Sequence, residues 1–216
     1  MSTIPATVSS RSGRKTYRHG DLHRALIEAG LELAQAGGPA AVTLREATRR
    51  VGVAPNAAYR HFDDRQALLD AVCSACQAQV AAAIEDEQSR VADAEPLEHA
   101  RQMLRAVGVG YLRFAVSEPG LFRTAFSASS DLEGANLAAR RGPGGLTPFQ
   151  LLTNAIDDLA AAGGFPPERR PGAEFLAWSA VHGLAMLLID GPLRALDEAR
   201  AQRLVQRVID MVEQGL

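Results

Sequence analysis

The chain is poor in the residue types that favour β-sheets. Aromatic residues make up 5% of its 216 residues, and β-branched residues are sparse. No stretch shows the alternation of apolar and polar residues that is typical of a half-buried strand. Ala, Leu, Arg and Glu, which favour helix, recur throughout instead. The composition therefore predicts an all-α protein.

The sequence also offers little metal-binding or redox chemistry. Cys73 and Cys76 are the only cysteines, and they lie within what looks like one continuous helix. A reactive Cys-x-x-Cys pair normally sits at a helix start, and a metal site needs a second pair of ligands. Of the five histidines only His19 and His23 are four residues apart, and the residues between them lack the glutamate of a His-Glu-x-x-His zinc motif. We expect two reduced thiols, no metal site and no cofactor.

Long apolar runs and a targeting segment are missing as well. The longest nearly uncharged apolar stretch, residues 177–189, contains His182 and ends at Asp190, so it is too short to cross a bilayer. It predicts a buried helix. Residues 1–12 are small and polar with no apolar core, which is unlike a secretion signal. We expect a cytoplasmic protein with no membrane partner.

Charge is distributed unevenly along the chain. Residues 1–65 carry 10 Lys and Arg against 6 Asp and Glu, whereas the remainder carries 13 against 19. A basic head on an acidic body is expected when only the head meets a polyanion, because its cations displace the counterions condensed on phosphate. Chance clustering of the basic residues is the alternative.

The basic head contains signals for three helices. Residues 1–18 lack apolar periodicity and predict a flexible basic arm. From Asp21, apolar residues recur at helical spacing until the Gly-Gly-Pro at residues 37–39 predicts the end of a first helix. The four residues from Thr43 to Glu46 have the form of a capping box, which predicts a second helix that ends near Arg50.

A glycine turn separates the second helix from a short third one. Residues 51–53 form the turn, and Pro55 opens a helix that ends near His61. Two short helices around a tight turn, after a packing helix, form the helix-turn-helix arrangement that inserts its second short helix into the DNA major groove. A helical hairpin used only for packing is the alternative.

The rest of the chain predicts a helical bundle. A second capping box at residues 63–66 starts a long fourth helix that links head to body and ends near Ile84. Further helices are predicted at residues 97–116, 147–162, 171–190 and 197–214, with a short apolar piece at 121–126 and a loop at 127–145. The predicted domains are therefore the arm at residues 1–18, a head at 19–66 and a bundle at 67–216.

The head resembles the signature of the TetR family of transcription regulators. The matching letters are VTLREA from Val42, VGVAPNAAYRHF from Val51 and DRQALL from Asp64, within a resemblance that covers roughly residues 20–71. The resemblance implies a three-helix DNA-binding domain followed by a helical ligand-binding and dimerisation domain. Such a protein is typically a repressor that binds a palindromic operator in double-stranded DNA as a homodimer and is released by a small-molecule effector.

The resemblance also implies which residues contact DNA. The family pattern places phosphate contacts at helix starts and on a Tyr-x-His pair at the end of the third helix, and an amide on that helix can bond adenine bidentately. The candidates are Thr43, Arg45, Pro55, Asn56, Ala57, Tyr59, His61 and Arg65. Tyr59 could instead be a core residue, as Phe62 is expected to be.

One position departs from the family pattern. Ala54 stands where the family commonly has Ser or Thr, so the third helix lacks a hydroxyl cap and a phosphate donor. Pro55 compensates in part because it presets the first turn. Contacts from Ala57 and Ala58 to thymine methyl groups should then contribute more to base reading.

The second half carries a Trp-x-x-x-His-Gly motif that is similar to one C-terminal subgroup of the family, and residues 119–123 fit the middle of that subgroup. His182 in this motif is either a ligand-binding or pH-sensing group, or a buried histidine satisfied by a hydrogen bond. We expect an apolar or amphipathic effector. Its candidate contacts, any of which could instead be core, are Met103, Val107, Tyr111, Phe114, Phe122, Phe126, Phe149, Trp178 and His182.

The resemblance implies a dimer in which the last two helices pair with their copies. The candidate interface residues are Leu184, Leu188, Leu204, Val208, Met211 and Val212, although this stripe could also be interior core. Two other classes of function stay open, a helical enzyme that acts on a small molecule and a protein-interaction module. The sequence shows no nucleophile elbow, paired-histidine helix or phosphate loop to support an enzyme.

Overall fold

The computed structural model describes residues 19–127 and 136–215, and within these ranges it contains helices and no strands. The predicted all-α class is confirmed. The predicted basic arm and residues 128–135 of the predicted loop lie outside the described residues. The helices are α1 (His19–Ala41), α2 (Leu44–Val51), α3 (Pro55–Ala58), α4 (Arg65–Gln88), α5 (Pro96–Ser117), α6 (Pro119–Ala125), α7 (Pro148–Ala161), α8 (Ala173–Ile189) and α9 (Glu198–Gly215).

The start and end of α2 follow from its local sequence. The Thr43 hydroxyl accepts a hydrogen bond from the backbone N–H of Glu46 at 3.2 Å, which satisfies a free donor of the first turn. Glu46 does not complete the expected capping box, because its carboxylate bonds the Arg49 guanidinium instead. Gly52 ends the helix with φ 77°, a conformation that side chains other than glycine resist.

The other caps show which side chains set helix starts. The predicted box at residues 63–66 is wrong in register, because Asp64 is the cap and its carboxylate accepts from the N–H of Ala67 at 2.8 Å. Before α7, Thr147 and Gln150 form the full reciprocal capping box. The predicted cap at Thr147 is therefore confirmed.

The predicted end of the first helix at residues 37–39 is confirmed, because Gly38 has a non-helical φ of 66° and only a short helical turn up to Ala41 follows it within α1. Two other predicted boundaries differ from the structure. Helix α3 is shorter than predicted and ends at Ala58. Pro119 was expected only to close α5, yet it also opens α6, since proline suits the first turn of a helix.

Helix α4 lies at the centre of the molecule and contacts α1, α5, α6 and α7. Its inner face is fully buried from Leu68 to Ile84. By length and composition alone it could cross a membrane, but more than half of its most apolar window is buried against the other helices. Cys73 and Cys76 are both buried and form no disulfide, and burial raises the pKa of Cys76 to about 12, which keeps it protonated.

Helices α1 and α6 meet through their backbones at Gly120. A Cβ atom at this position would lie 2.4 Å from the carbonyl oxygen of Ala34 and 2.5 Å from that of Gln35, so only glycine fits. Beside this contact the Gln35 amide donates to the Glu118 carboxylate at 2.9 Å. The head is thus joined to the body through α6 as well as through α4.

Replacing Gly120 with alanine should lower the free energy of unfolding by about 1–3 kcal/mol, because the methyl group would force α6 away from α1. Urea denaturation followed by the fluorescence of Trp178, the single tryptophan, measures this. Gly215→Ala is the matched control, since no atom lies within 4 Å of its Cβ position and the change should be neutral or slightly stabilising. Equal stability of the two variants would contradict the close contact.

Candidate functional site

The outer surface of the head is formed by the start of α2 and by α3. Arg45, Pro55 and Asn56 are exposed, and the Tyr59 side chain just after α3 is 55% exposed. An aromatic side chain this exposed does not belong to a core, so the alternative interpretation of Tyr59 as a core residue is wrong. Arg45, Pro55, Asn56 and Tyr59 are therefore all accessible to a binding partner.

Ala58 does not belong to this surface. It is fully buried and packs into the core near Phe62, which is itself 4% exposed, as expected. Contact between Ala58 and a thymine methyl group is therefore excluded by burial. Ala57 is partly exposed and remains available at the edge of the recognition surface.

Arg45 differs from its basic neighbours on α2 in its charge balance. Arg49 is paired with Glu46, whose pKa is lowered by this hydrogen bond, and Arg50 is paired with Glu32 at 2.8 Å. Within the described ranges Arg45 has no carboxylate at ion-pair distance. Arg45 therefore presents an exposed guanidinium that is not held in an ion pair, although its charge helps to lower the pKa of Glu46.

Arg65 and His61 are tied into the head itself. The Arg65 guanidinium donates to the carbonyl oxygens of Val42 at 2.9 Å and Pro39 at 2.7 Å, and so holds the end of α1 against the start of α4. Arg65 therefore has a structural role that the sequence did not predict; the residue is exposed, and its phosphate contact stays a prediction. His61 is half-buried, and its ring lies 6.0 Å from that of His23 in an edge contact.

The body encloses a cavity of about 440 Å³ between α4, α5, α7, α8 and α9, with the end of α6 in its wall. This size is within the range of small-molecule sites. Six of the nine residues predicted to contact a ligand line it, and they are Val107, Tyr111, Phe126, Phe149, Trp178 and His182.

The other three predicted ligand contacts do not line the cavity. Met103 is partly exposed on α5, whose 100° rotation per residue places Leu104 and not Met103 at the wall. Phe114 instead borders a surface groove with Leu31 of α1. Phe122 is fully buried behind the wall, with its ring 5.2 Å from that of Tyr111.

Several lining residues were not predicted from the sequence. Leu104 and Gly108 share a helix face with the predicted Val107 and Tyr111, so their spacing could have identified them. Gln77 comes from the central helix, and its amide donates to the Ala125 carbonyl at 2.8 Å. Arg140 comes from a short turn with no periodic signal, and only 6% of it is exposed.

A chain of hydrogen bonds connects three polar groups in the cavity wall. The Trp178 indole donates to the Tyr111 hydroxyl oxygen at 3.2 Å, and the same oxygen lies 2.8 Å from Nδ1 of His182. Burial raises the pKa of Tyr111 and lowers that of His182, so both are neutral at neutral pH. His182 therefore has the hydrogen-bonded structural position that was one of its two interpretations, and it also lines the cavity.

Charged residues at the α9 side of the cavity are paired with each other. Arg105 donates to Asp210 at 2.7 Å and to Glu213 at 2.8 Å, which fastens α5 to α9. Hydrogen bonding to these two carboxylates raises the pKa of Arg105 even though desolvation opposes it.

In the part of the chain that the structure describes, no three His, Cys, Asp or Glu side chains lie close enough together to hold a metal ion.

The residues expected at the dimer interface differ in their burial and in what they contact. Leu184 and Leu188 are 6% and 9% exposed, so they belong to the chain's own core and their assignment to an interface is corrected. Leu204 and Val208 are partly buried against that core, and Val212 lines the cavity. Met211 is 57% exposed and accessible to a partner.

Helix α8 also carries exposed apolar side chains, and they lie on a different face of the helix from the buried Leu184 and Leu188. Leu176 is 68% exposed and Leu187 is 44% exposed, and Phe175 and Met186 adjoin them. Gly183, between them on this face, has no atom within 4 Å of its Cβ position. Because α8 is apolar nearly all round, its spacing could not indicate which face the chain itself covers.

Solved structures with this fold come from several bacteria. A protein of unknown function from Rhodococcus sp. RHA1 is 25% identical, with a TM-score of 0.71 over 94% of this chain and 99% of that one. A TetR family transcription regulator from Marinobacter aquaeolei VT8 is 21% identical, with a TM-score of 0.60 over 89% and 94%. A TetR variant from Acinetobacter baumannii AYE in complex with minocycline is 21% identical, with a TM-score of 0.58 over 93% and 96%.

Models of two sequence families match the two halves of the chain. No curated protein sequence matches it. The model of the bacterial regulatory proteins of the tetR family matches residues 26–72, which contain the helix-turn-helix. The model of the tetracyclin repressor-like C-terminal domain matches residues 104–212, which contain most of the cavity wall and span just over half of the chain. The chain therefore belongs to the TetR family of bacterial transcription regulators.

Proposed function

We propose that this DNA-binding regulator is a repressor that binds a palindromic operator as a homodimer and leaves it when a small molecule occupies the cavity. The observation that carries the proposal is the exposure of the DNA-facing candidates on α2 and α3, where Arg45 has no ion-pair partner among the described residues and the Tyr59 side chain lies outside the core. We infer that the protein acts in the cytoplasm, with residues 1–18 as a basic arm, 19–66 as the DNA-binding domain and 67–216 as the sensor.

The head would use its surface groups in two ways. Arg45 and the Tyr59 hydroxyl would contact backbone phosphates and position the protein, together with Thr43 and His61 at the edges of the surface. Asn56, exposed in the first turn of α3, would bond an adenine edge in the major groove. Pro55 and Ala57 leave room for the close approach of α3 to the bases.

The homodimer would form through the exposed apolar face of α8 together with Met211 of α9. Leu176 and Leu187 supply apolar area, and the empty space at Gly183 allows a partner helix to approach closely. A two-fold axis through this face would place two recognition helices on successive major grooves, which explains a palindromic operator.

Release would depend on the contacts that α6 makes at its two ends. Its last residue, Ala125, lines the cavity, and its carbonyl oxygen accepts from Cys73 Sγ at 3.1 Å and Gln77 Nε2 at 2.8 Å. Its first turn packs on α1 at Gly120. A ligand that favours a displaced α6 would also displace the head. The free energy by which it shifts the equilibrium between the two positions of α6 equals the difference between its binding free energies for them.

DNA binding is tested with a palindromic fragment from the DNA beside the protein's own gene. Affinity should fall by at least about 100-fold between about 50 and 200 mM salt, because phosphate binding releases counterions. Arg45→Ala should weaken binding about tenfold and Tyr59→Phe about fivefold, each lost as a phosphate contact. Fluorescence anisotropy with labelled DNA measures both.

Arg90→Ala is the control for these variants. Arg90 is an exposed arginine just beyond the far end of α4, about 35 Å along the helix from the head, and its partners are Asp86 and Glu87. Its loss should leave affinity unchanged. Binding that ignores salt and sequence, or an equal loss in Arg90→Ala and Arg45→Ala, would reject the proposed DNA surface.

The dimer face is tested by Leu176→Glu and Leu187→Glu. Each would place a carboxylate in an apolar interface, so the dissociation constant of the dimer should rise at least about 100-fold without loss of the monomer fold. Analytical ultracentrifugation measures the constant. Val116→Glu on α5, where the wild-type side chain is 52% exposed, is the control and should remain dimeric. A dimer that survives both α8 variants would require another interface.

A further inference from the structure

The bonds around Tyr111 determine which nitrogen of His182 carries its proton. The Trp178 indole can only donate, so the Tyr111 oxygen accepts from it. Tyr111 is 5% exposed, and among the described residues its hydroxyl has only one other neighbour at bonding distance, Nδ1 of His182. The hydroxyl proton is satisfied only if it is donated to Nδ1. Neutral His182 therefore carries its own proton on Nε2.

This Nε2–H group is a donor available to a ligand. His182 lines the cavity, and within residues 19–127 and 136–215 its Nε2 has no protein hydrogen-bond partner. The atom is also not enclosed by protein, since the buried polar atoms without a partner are found on other side chains. A donor that faces an apolar cavity is best satisfied by an oxygen acceptor on the molecule that fills it.

The charged groups of the wall offer no equally available site for an anion. Arg105 is held by two carboxylates. The buried Arg140 is engaged within the protein, and its Nε atom, which has no hydrogen-bond partner, is enclosed by protein and so is out of reach of a ligand. His182 is neutral because burial lowers its pKa, so it supplies a donor without a charge. A carboxylate brought into the cavity would lose its hydration and would have to compete for guanidinium groups that already have partners.

Aromatic side chains form much of the remaining wall. The ring of Phe126 lies 5.1 Å from that of His182, and the Phe149 ring lies 6.1 Å from the Trp178 ring. Rings at these distances offer several flat apolar faces and edges to an aromatic or conjugated ligand. The cavity volume of about 440 Å³ suits a molecule of two to four fused rings.

We infer that the effector is an uncharged, flat, mainly apolar molecule with a carbonyl oxygen, which accepts a hydrogen bond from Nε2 of His182. The inference rests on the proposed function, in which the cavity binds the effector. Tyr111 and Trp178 act as positioning residues, because they hold the imidazole in the form that donates towards the cavity.

Three probes of one shape and different polarity test this inference. Fluorenone carries the carbonyl, fluorene lacks it, and a fluorene carboxylate replaces it with an anion. Isothermal titration calorimetry with the full-length wild-type protein, without DNA, should show fluorenone binding about tenfold more tightly than either of the others, because only its oxygen satisfies the donor without a charge. Quenching of Trp178 fluorescence should report the same order.

His182→Phe removes the donor and keeps a ring. In this variant fluorenone should lose its advantage over fluorene, whereas His99→Phe, at the start of α5 outside the cavity, should retain it. Any of four results would overturn the inference. They are tightest binding of the carboxylate, equal binding of all three probes, no binding of any probe, and an advantage of fluorenone that persists in His182→Phe. If His182→Phe does not fold, the order of the three probe affinities in the wild-type protein still tests the inference. Operator binding is measured separately, so its failure is distinguishable from failure here.

Discussion

Burial of the inner face of α4 is the constraint on which the rest of the structure depends. The helix contacts α1 in the head and α5, α6 and α7 in the body, and its inner face from Leu68 to Ile84 is removed from water. Because its first turn begins directly after the recognition segment and its later turns line the cavity at Gln77 and Ile84, one rigid element reaches both surfaces. If α4 changes its tilt at the cavity, its first turn and the head that packs on it must therefore also move.

Local sequence signals predicted the head well because they act over a few residues. The cap at Thr43 and the left-handed turn at Gly52 depend only on neighbouring backbone groups, and the structure contains both. The structural bonds of Arg65 could not be predicted because their acceptors, the carbonyls of Val42 and Pro39, are 23 and 26 residues away. A charge near a helix start looks the same in sequence whether it faces phosphate or the protein's own backbone.

The body was harder to predict because apolar spacing identifies buried faces without saying what covers them. On α8, Leu184 is covered by the chain itself, whereas Leu187, three residues later, is exposed. The motif that joins Trp178 and His182 was visible as a shared helix face. Its completion by Tyr111, 67 and 71 residues away, depends on the packing of α5 against α8 and has no signature in sequence.

The Ala125 carbonyl has a consequence for any change of state. Its two donors, Cys73 and Gln77, stand one turn apart on the same helix and share this single acceptor. Displacement of Ala125 from α4 therefore removes two hydrogen bonds at once, and this joint cost opposes partial movement of the end of α6.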